Sequence, residues 1–192
     1  MARKTRNIKL FFLYLFIVII ILFILLQTDW FWRLIYPLEY KEHIEYCSRE
    51  NNLDAALVSA MIYVESKFKP DAVSSKGAMG LMQIMPDTGN WIAEQLDYSN
   101  FDLELLFDPE INILFGTWYL QMLRREFDNN SAVVLAAYNA GRGNVKKWLE
   151  EEWDGREQSI ENIPYNETKE YVKKIISAYR YYNRIYEYNL VN

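Results

Sequence analysis

The chain has 192 residues, a length that predicts one folded domain together with whatever its apolar N-terminus forms. Hydrophobic residues make up 51% of the chain and aromatic residues 16%, which is enough to fill a buried core. The formal net charge of -5 is uneven: residues 1–28 hold four basic and no acidic residues, leaving 17 basic against 26 acidic residues, or -9, for the rest. This anionic body argues against a nucleic-acid partner, which would require a basic face. With one cysteine, Cys47, and one histidine, His43, we expect no internal disulfide, no metal site and no cofactor.

An uninterrupted apolar segment, residues 10–26 (LFFLYLFIVIIILFILL), follows a short basic tail. Its length is near the lower limit for a membrane-spanning helix and exceeds the usual core of a signal peptide. No small-residue cleavage pattern follows, whereas residues 30–32 (WFW) and Tyr36 resemble the aromatic belt found at a bilayer interface. We therefore expect residues 10–27 to be a single-pass signal-anchor, with a cleaved signal peptide as the alternative.

The basic residues before the apolar segment predict the orientation of the chain, because positively charged flanks stay in the cytoplasm. We expect residues 1–9 to be a cytoplasmic tail, residues 28–37 a linker, and residues 38–192 an extracytoplasmic domain anchored to the cell membrane. Even fully extended, such a linker reaches only about 35 Å. The domain is therefore expected to work close to the membrane face, and full function after insertion of a long spacer would argue against this.

The part after residue 37 is predicted to be all-α, because apolar residues recur with helical spacing and no useful length alternates with a period of two. Residues 150–160 are expected to be a charged loop. The expected N-caps are Asn52, Asp108 and Ser131. Predicted helices cover residues 37–50, 53–69, 87–96, 109–127, 131–141, a short stretch through 145–148, and 168–188. In helix 109–127 the predicted buried face consists of Ile111, Leu114, Phe115, Trp118, Met122 and Leu123.

Glu65 is the residue around which the candidate chemistry is organised. Leu57 and Met61 continue an apolar face that starts at Leu53, and Glu65 follows one turn beyond Met61. A carboxyl there lies near the negative end of the helix dipole and beside apolar neighbours. Both effects disfavour the ionised form, as a general acid working near neutral pH requires. On spacing alone, a solvated glutamate in the last turn is the alternative.

Four short motifs occur in the order and with the spacing of a known family. They are residues 65–66 (ES), residues 80–83 (GLMQ), residues 137–141 (AYNAG) and Tyr171 in the last predicted helix. Together they resemble the soluble-type lytic transglycosylases, members of the lysozyme-like superfamily that cut bacterial cell-wall glycan. The resemblance covers residues 53–182 and implies an all-α, lysozyme-like transglycosylase (SLT) domain after the N-terminal transmembrane helix.

The resemblance implies a reaction as well as a fold. The expected substrate is the glycan strand of peptidoglycan, cut at the β-1,4 bond between N-acetylmuramic acid and N-acetylglucosamine. Glu65 would protonate the glycosidic oxygen, and the substrate's own N-acetyl group would support the cationic centre, so that one carboxylate suffices where most glycosidases need two. Glu65 would then accept the proton of the muramic acid C6 hydroxyl, which attacks C1 and gives a 1,6-anhydromuramyl end.

The same resemblance implies substrate contacts. Ser74 and Gln83 would hydrogen-bond the sugar, and a tyrosine hydroxyl close to Glu65 would orient it and influence its pKa. The alternatives that stay open are a loop-turn serine for Ser74, a core methionine for Met85 and a packing role for Tyr171. The full set of expected substrate-binding residues is Ser74, Gln83, Met85, Tyr138, Asn139, Glu161 and Tyr171.

Two other functions stay open at this point. A muramidase-type hydrolase on the same fold would need a second carboxylate to hold a water molecule, and Asp71 and Asp87 are the nearest candidates in sequence. An inactive glycan-binding or scaffold protein would be expected to lack Glu65. No wall-binding repeat or calcium loop is recognisable, so targeting is expected to come from the membrane or from protein partners in a cell-wall or secretion assembly.

Overall fold

The computed structural model describes residues 2–188, which divide into two compact units between Pro37 and Leu38. Within the described residues the structure contains α-helices, two short 3-10 helices and isolated bridges but no strand, which confirms the all-α prediction. The helices are α1 (Ala2–Gln27), α2 (Asp29–Ile35), α3 (Lys41–Glu50), α4 (Ala55–Ser66), α5 (Pro86–Gln95), α6 (Pro109–Glu126), α7 (Ser131–Ala140), α8 (Arg142–Glu151) and α9 (Asn166–Ile185). The 3-10 helices are Leu103–Phe107 and Glu157–Asn162.

The first unit consists of α1 and α2. Within α1, the 19 residues Lys9–Gln27 are long and apolar enough to cross a membrane. The helix ends at Gln27, and the hydroxyl of the next residue, Thr28, donates to the carbonyl of Leu25 at 2.7 Å. Residues 28–37 were expected to be a linker, and α2 forms within them. A helix rises only about 1.5 Å per residue, so this segment is shorter than an extended chain.

The second unit is built around α4, which packs most extensively against α9 and also against α3. The predicted apolar face continues around most of this helix. Its fully buried residues include Ala56, Val58, Ala60, Met61 and Ile62. A helix that is apolar on nearly all sides belongs at the centre of a fold. On its other side, α9 packs against α7, which in turn contacts α6 and α8.

Helix starts depend on capping side chains, and two of the three predicted caps are wrong. Asp54, not Asn52, caps α4 by accepting from a backbone N–H, while Asn52 lies in a turn with φ 51°. Asn130, not Ser131, caps α7 in the same manner. Asp108 caps α6 as predicted. When two nearby residues can both cap a helix, the sequence does not show which of them does so, because amide, hydroxyl and carboxylate oxygens can all accept a hydrogen bond from the backbone N–H.

Several helix ends also differ from prediction, two of them because a residue with positive φ interrupts the apolar pattern. Tyr40 has φ 55°, so α3 begins at Lys41 and not at Pro37. Lys67 has φ 56°, so α4 ends before the predicted stop at Lys69 and Pro70. The last helix covers 166–185 where 168–188 was predicted, and part of the predicted charged loop forms the 3-10 helix 157–162.

The buried face of α6 is displaced from the predicted one. Phe115 and Leu123 are buried as expected, whereas the other four predicted residues are only half-buried. Polar and small residues are buried together with other apolar ones, because Asn112 hydrogen-bonds the loop between α4 and α5 and Gly116 lies against Met82 of that loop. The residues buried instead are Asn112, Ile113, Gly116, Thr117 and Leu120.

Candidate active site

Glu65 lies in the last turn of α4, where the chain is about to leave the helix. Its Oε1 accepts a hydrogen bond of 2.6 Å from the hydroxyl of Tyr171 on α9. Burial raises the pKa of Glu65 from its ordinary value of 4.5 to about 7, and the hydrogen bond from Tyr171 opposes this by lowering the pKa. Near neutral pH the carboxyl therefore has access to both its protonated and its ionised form.

A second tyrosine, Tyr138 of α7, approaches the same carboxyl. Its hydroxyl donates to the carbonyl of Met82 at 2.9 Å. Burial first, and then the negative charge of Glu65, raise the pKa of Tyr138 well above its ordinary value. The same two causes act in the same order on Tyr171. Both phenols therefore stay neutral hydrogen-bond donors across the range in which Glu65 titrates.

The chain between α4 and α5 forms a compact loop held by two isolated bridges, Val73–Met79 and Met79–Ile84. Ser74 organises its tip, because its Oγ accepts from the backbone N–H of Ala78 at 2.9 Å and of Lys76 at 3.3 Å. These are the contacts of a turn serine. A substrate contact by Ser74 stays a prediction, for which its hydroxyl proton is still available.

Asn112 of α6 holds this loop by side-chain hydrogen bonds, and its role was not predicted from the sequence. Its Nδ2 donates to the carbonyls of Met79 (3.0 Å) and Leu106 (2.7 Å), and its Oδ1 accepts from the N–H of Met82 at 2.7 Å. Gly80 has φ +75°, and a Cβ there would collide with the Asn112 amide and the Leu106 carbonyl. The signal available in the sequence is a lone asparagine between the apolar residues of α6.

Gln83 lies in the part of the loop that Asn112 holds, with the unusual backbone angle φ 49°. Its Nε2 donates to the carbonyls of Gly80 (2.8 Å) and Ala72 (3.1 Å). The amide nitrogen is therefore used inside the loop, and Oε1 is the atom that Gln83 can offer to a ligand.

A cavity of about 330 Å³ brings four of the predicted contact residues together: Gln83, Met85, Tyr138 and Asn139. Met85 is 42% exposed, so it belongs to the cavity wall and not to the core. The Oδ1 of Asn139 accepts from the hydroxyl of Thr168 at 2.8 Å, which joins α7 to α9 beside the cavity. The remaining residues of the wall are Lys76, Ile84, Thr88, Tyr119, Ala140 and Gly141.

Some acidic candidates from the sequence lie outside this arrangement. Glu161 is exposed on the second 3-10 helix and forms an ion pair of 2.6 Å with Lys173, so its substrate contact stays a prediction. Asp71 and Asp87 are exposed and do not line the cavity.

A row of partly exposed aromatic rings adjoins the cavity, and no sequence motif indicated it. Tyr138 contacts Tyr119 with ring centroids 5.5 Å apart. Tyr119 lies 6.3 Å from Trp91, and Trp91 lies 5.5 Å from Trp118. The guanidinium of Arg142 lies over the Trp91 ring at 5.6 Å. Two members of the row, Tyr119 and Tyr138, also line the cavity.

The second unit is similar in sequence and fold to known proteins. The family model described as the transglycosylase SLT domain matches residues 42–160. The chain is 36% identical over 151 residues to the soluble lytic murein transglycosylase of Salmonella typhimurium, covering 77% of this chain and 23% of that protein. It is 29% identical over 175 residues to the membrane-bound lytic murein transglycosylase C of Pectobacterium atrosepticum, covering 76% of this chain and 47% of that protein.

Among solved structures, the 70-kDa soluble lytic transglycosylase of Escherichia coli superposes with a TM-score of 0.73 at 32% sequence identity. The match covers 80% of this chain and 25% of the larger one. The chain thus spans about a quarter of the length of the soluble relatives that it matches.

Proposed function

Because this chain belongs to the transglycosylase SLT domain family, we propose that its second unit is a peptidoglycan lytic transglycosylase. The proposed reaction breaks the β-1,4 bond between N-acetylmuramic acid and N-acetylglucosamine and leaves a 1,6-anhydromuramyl end. The observation that carries the proposal is Glu65, a carboxyl with a pKa of about 7 that is hydrogen-bonded by Tyr171. Similarity to named lytic murein transglycosylases supports the choice of substrate.

The proposed mechanism uses one carboxyl twice. Protonated Glu65 donates its proton to the glycosidic oxygen while the bond from that oxygen to C1 breaks, and the 2-acetamido group of the substrate stabilises the positive charge at C1. The resulting Glu65 carboxylate then accepts the proton of the C6 hydroxyl as its oxygen bonds to C1. One proton leaves and one returns, and no water is consumed. A pKa near neutrality suits a group that must act first as acid and then as base.

The surrounding polar groups have separate proposed tasks. Tyr171 holds Oε1 of Glu65, which leaves Oε2 to reach the substrate. Tyr138 fixes the Met82 carbonyl beside Gln83, whose Oε1 accepts from a sugar hydroxyl or an acetamide N–H. Asn139, which also lines the cavity, contributes its amide to the sugar. We propose that the remaining predicted contacts act at the edges of the same binding site: Ser74, Met85 and Glu161.

The first unit is proposed to anchor the enzyme. Residues 10–27 would cross the cell membrane once, with residues 1–9 in the cytoplasm and residues 38–192 outside. The apolar length of Lys9–Gln27 and the existence of a relative named as membrane-bound support this arrangement. Protein partners in a cell-wall or secretion assembly would then determine where along the membrane the enzyme acts.

Product analysis tests the proposed reaction directly. The full chain in detergent is incubated with purified peptidoglycan, and the released muropeptides are identified by mass spectrometry. We expect anhydromuramyl ends, each one water lighter than a hydrolysed end, and none with Glu65→Gln. Glu150→Gln, which removes an exposed carboxylate from α8, is the matched control and should release the same products as the native chain.

The other outcomes of this experiment point to the alternatives. Reducing ends that depend on Glu65 would overturn the lyase assignment in favour of a muramidase-type hydrolase. No release of any product by the native chain would favour a glycan-binding role.

A further inference from the structure

We propose that Lys76 is a specificity-determining residue that binds a carboxylate of the peptidoglycan strand, carried by the peptide on N-acetylmuramic acid or, where no peptide is attached, by the free lactyl group. This inference rests on the proposed function, since it names the part of that substrate which the site recognises by charge.

The composition of the cavity wall supports this role. Among the described residues that line the cavity, Lys76 supplies the only ammonium group, and no carboxylate is present. It shares the cavity with Gln83 and Tyr138, the residues proposed to position the substrate and to flank the acid. A lone cation in a wall of otherwise neutral groups attracts an anionic substituent to one defined point.

The contact that Lys76 makes in the free protein shows which chemical group fits this point. Its Nζ lies 3.0 and 2.9 Å from the two carboxylate oxygens of Glu167. Glu167 is in the first turn of α9, four residues before Tyr171, so the two side chains lie on the same face of the helix. A carboxylate therefore already occupies the Lys76 position one helical turn from the residue that contacts Glu65.

The Lys76–Glu167 pair is suited to exchange. The two side chains are 70% and 69% exposed, and ion pairs in such surroundings contribute little to stability. A substrate carboxylate can therefore replace Glu167 at small cost. The loop that carries Lys76 is fixed by Ser74 and Asn112, so the ammonium approaches the substrate from a defined backbone position.

Charge explains why such a contact is useful. The residues after position 28 carry a formal charge of -9, and the glycan strand with its peptides is also anionic. A local cation offsets this repulsion where the muramic acid must dock. The pKa of Glu65 is set by burial and by Tyr171, so Lys76 can act on substrate binding without changing the proton affinity of the acid.

The experiment compares the native full chain in detergent with Lys76→Gln on three substrates. These are peptide-bearing glycan strands, the same strands after their carboxylates have been converted to amides, and strands stripped of peptide, which carry free lactyl carboxylates. On peptide-bearing strands we expect Lys76→Gln to raise KM roughly fivefold with kcat unchanged, as befits an exposed ion pair. On amidated strands the native chain and the variant should have equal KM. In peptide-bearing strands the lactyl carboxyl is an amide, so dependence on Lys76 there reports a carboxylate of the peptide. Dependence that persists on stripped strands shows that the free lactyl carboxylate is bound as well, and its loss there shows that only peptide carboxylates are bound.

Two control variants separate this effect from general charge. Lys147→Gln removes an equally exposed cation from α8, outside the cavity, and should leave KM unchanged. Glu167→Gln removes the competing carboxylate and should lower KM for peptide-bearing strands. The proposal is overturned if Lys76→Gln leaves KM unchanged or raises it equally on amidated strands.

A binding measurement keeps this test independent of the reaction. In the Glu65→Gln background, co-sedimentation with peptide-bearing strands is compared with and without Lys76→Gln. Weaker binding with Lys76→Gln that disappears on amidated strands supports the inference even if the native chain releases no product, in which case only the proposed function fails. Equal binding overturns the inference.

Discussion

The hydroxyl of Tyr171 donates to Oε1 of Glu65 at 2.6 Å, although the two residues are 106 positions apart in the chain. The contact exists because α9 returns across α4 and forms with it the most extensive helix pair of the second unit. The packing that builds the core thus also places a phenol on the carboxyl at the end of α4. Core packing and the chemistry of the site are therefore coupled through one pair of helices.

Replacing Tyr171 with phenylalanine is predicted to move the pH dependence of the reaction. The hydrogen bond stabilises the ionised carboxyl, so its loss raises the pKa of Glu65 above about 7. Because the first step needs the protonated acid, the fall in kcat at high pH should shift to higher pH in Tyr171→Phe. The maximal rate should drop roughly tenfold, as expected for the loss of one orienting hydrogen bond.

The measurement is kcat as a function of pH for both chains. Tyr179→Phe is the matched control, since its hydroxyl donates at the same distance of 2.6 Å to Asp54, at the opposite end of α4. Its profile should follow the native one. If the fall of kcat at high pH stays at the same pH or moves to lower pH in Tyr171→Phe, the Tyr171 phenol does not act on Glu65.

Glu65 is also predicted to limit the stability of the protein at high pH. Its pKa is raised from 4.5 to about 7 by folding, so the folded state binds the proton more tightly than the unfolded state. Its contribution is fully present below the unfolded pKa and is lost as the pH rises through about 7. Over that window the loss amounts to about 3 kcal/mol.

Glu65→Gln removes this titration while keeping a similar shape. We expect the variant to gain free energy of unfolding relative to the native chain between about pH 4 and about pH 8, by up to about 3 kcal/mol. Denaturant unfolding in detergent at both pH values measures it. A difference between the two chains that stays constant with pH would refute the raised pKa.

The sequence allowed the elements of the site to be predicted, but not the contacts between them. Glu65 was expected to have a raised pKa from its place in an apolar helix end, and the pKa is raised, with burial as the cause that raises it. The phenol that touches it is Tyr171, and the tyrosine beside the cavity, Tyr138, bonds a backbone carbonyl instead. Local pattern indicates which residues carry chemistry, whereas which of them meet depends on how distant helices pack.

The wrong predictions for α6 and for the cap of α4 share a physical origin. Hydrogen bonds and close contacts with the backbone determine which residues are buried or cap a helix. Apolar periodicity predicted the buried face of α6, yet Asn112 and Gly116 are buried there because they fit a loop and not another helix. Likewise, the cap of α4 moved from Asn52 to Asp54 because backbone geometry selects between neighbouring capping residues. Such contacts leave no periodic signal.

Asn112→Asp is predicted to damage both stability and the site. The Nδ2 of Asn112 donates to two backbone carbonyls, and an aspartate would place an acceptor against at least one of them. Each unsatisfied buried group costs about 1–3 kcal/mol, so the variant should lose at least that much free energy of unfolding. Because the Met82 amide also bonds Asn112, the loop that carries Gln83 should loosen, and KM should rise.

Thermal unfolding and steady-state kinetics measure the two effects in the same preparation. Asn90→Asp, an exposed change of the same chemistry on α5, is the control and should alter neither. Native stability in Asn112→Asp would mean that the loop does not depend on this amide.

The orientation of the chain in the membrane is the last prediction. Four basic residues precede the apolar segment 10–26 and the domain beyond it is acidic, so the N-terminus should stay in the cytoplasm. In a Cys47→Ser background, which removes the native thiol, Glu150→Cys should react with a membrane-impermeant maleimide on intact spheroplasts. Asn7→Cys should react only after the membrane is permeabilised.

The labelling pattern distinguishes the alternatives. Labelling of Asn7→Cys alone in intact spheroplasts would invert the proposed topology. The intact mass of the purified chain tests cleavage, because a removed signal peptide would shorten the chain and release it from carbonate-washed membranes. A full-length chain that resists the carbonate wash is expected, since Lys9–Gln27 is long enough to stay in the bilayer as a helix.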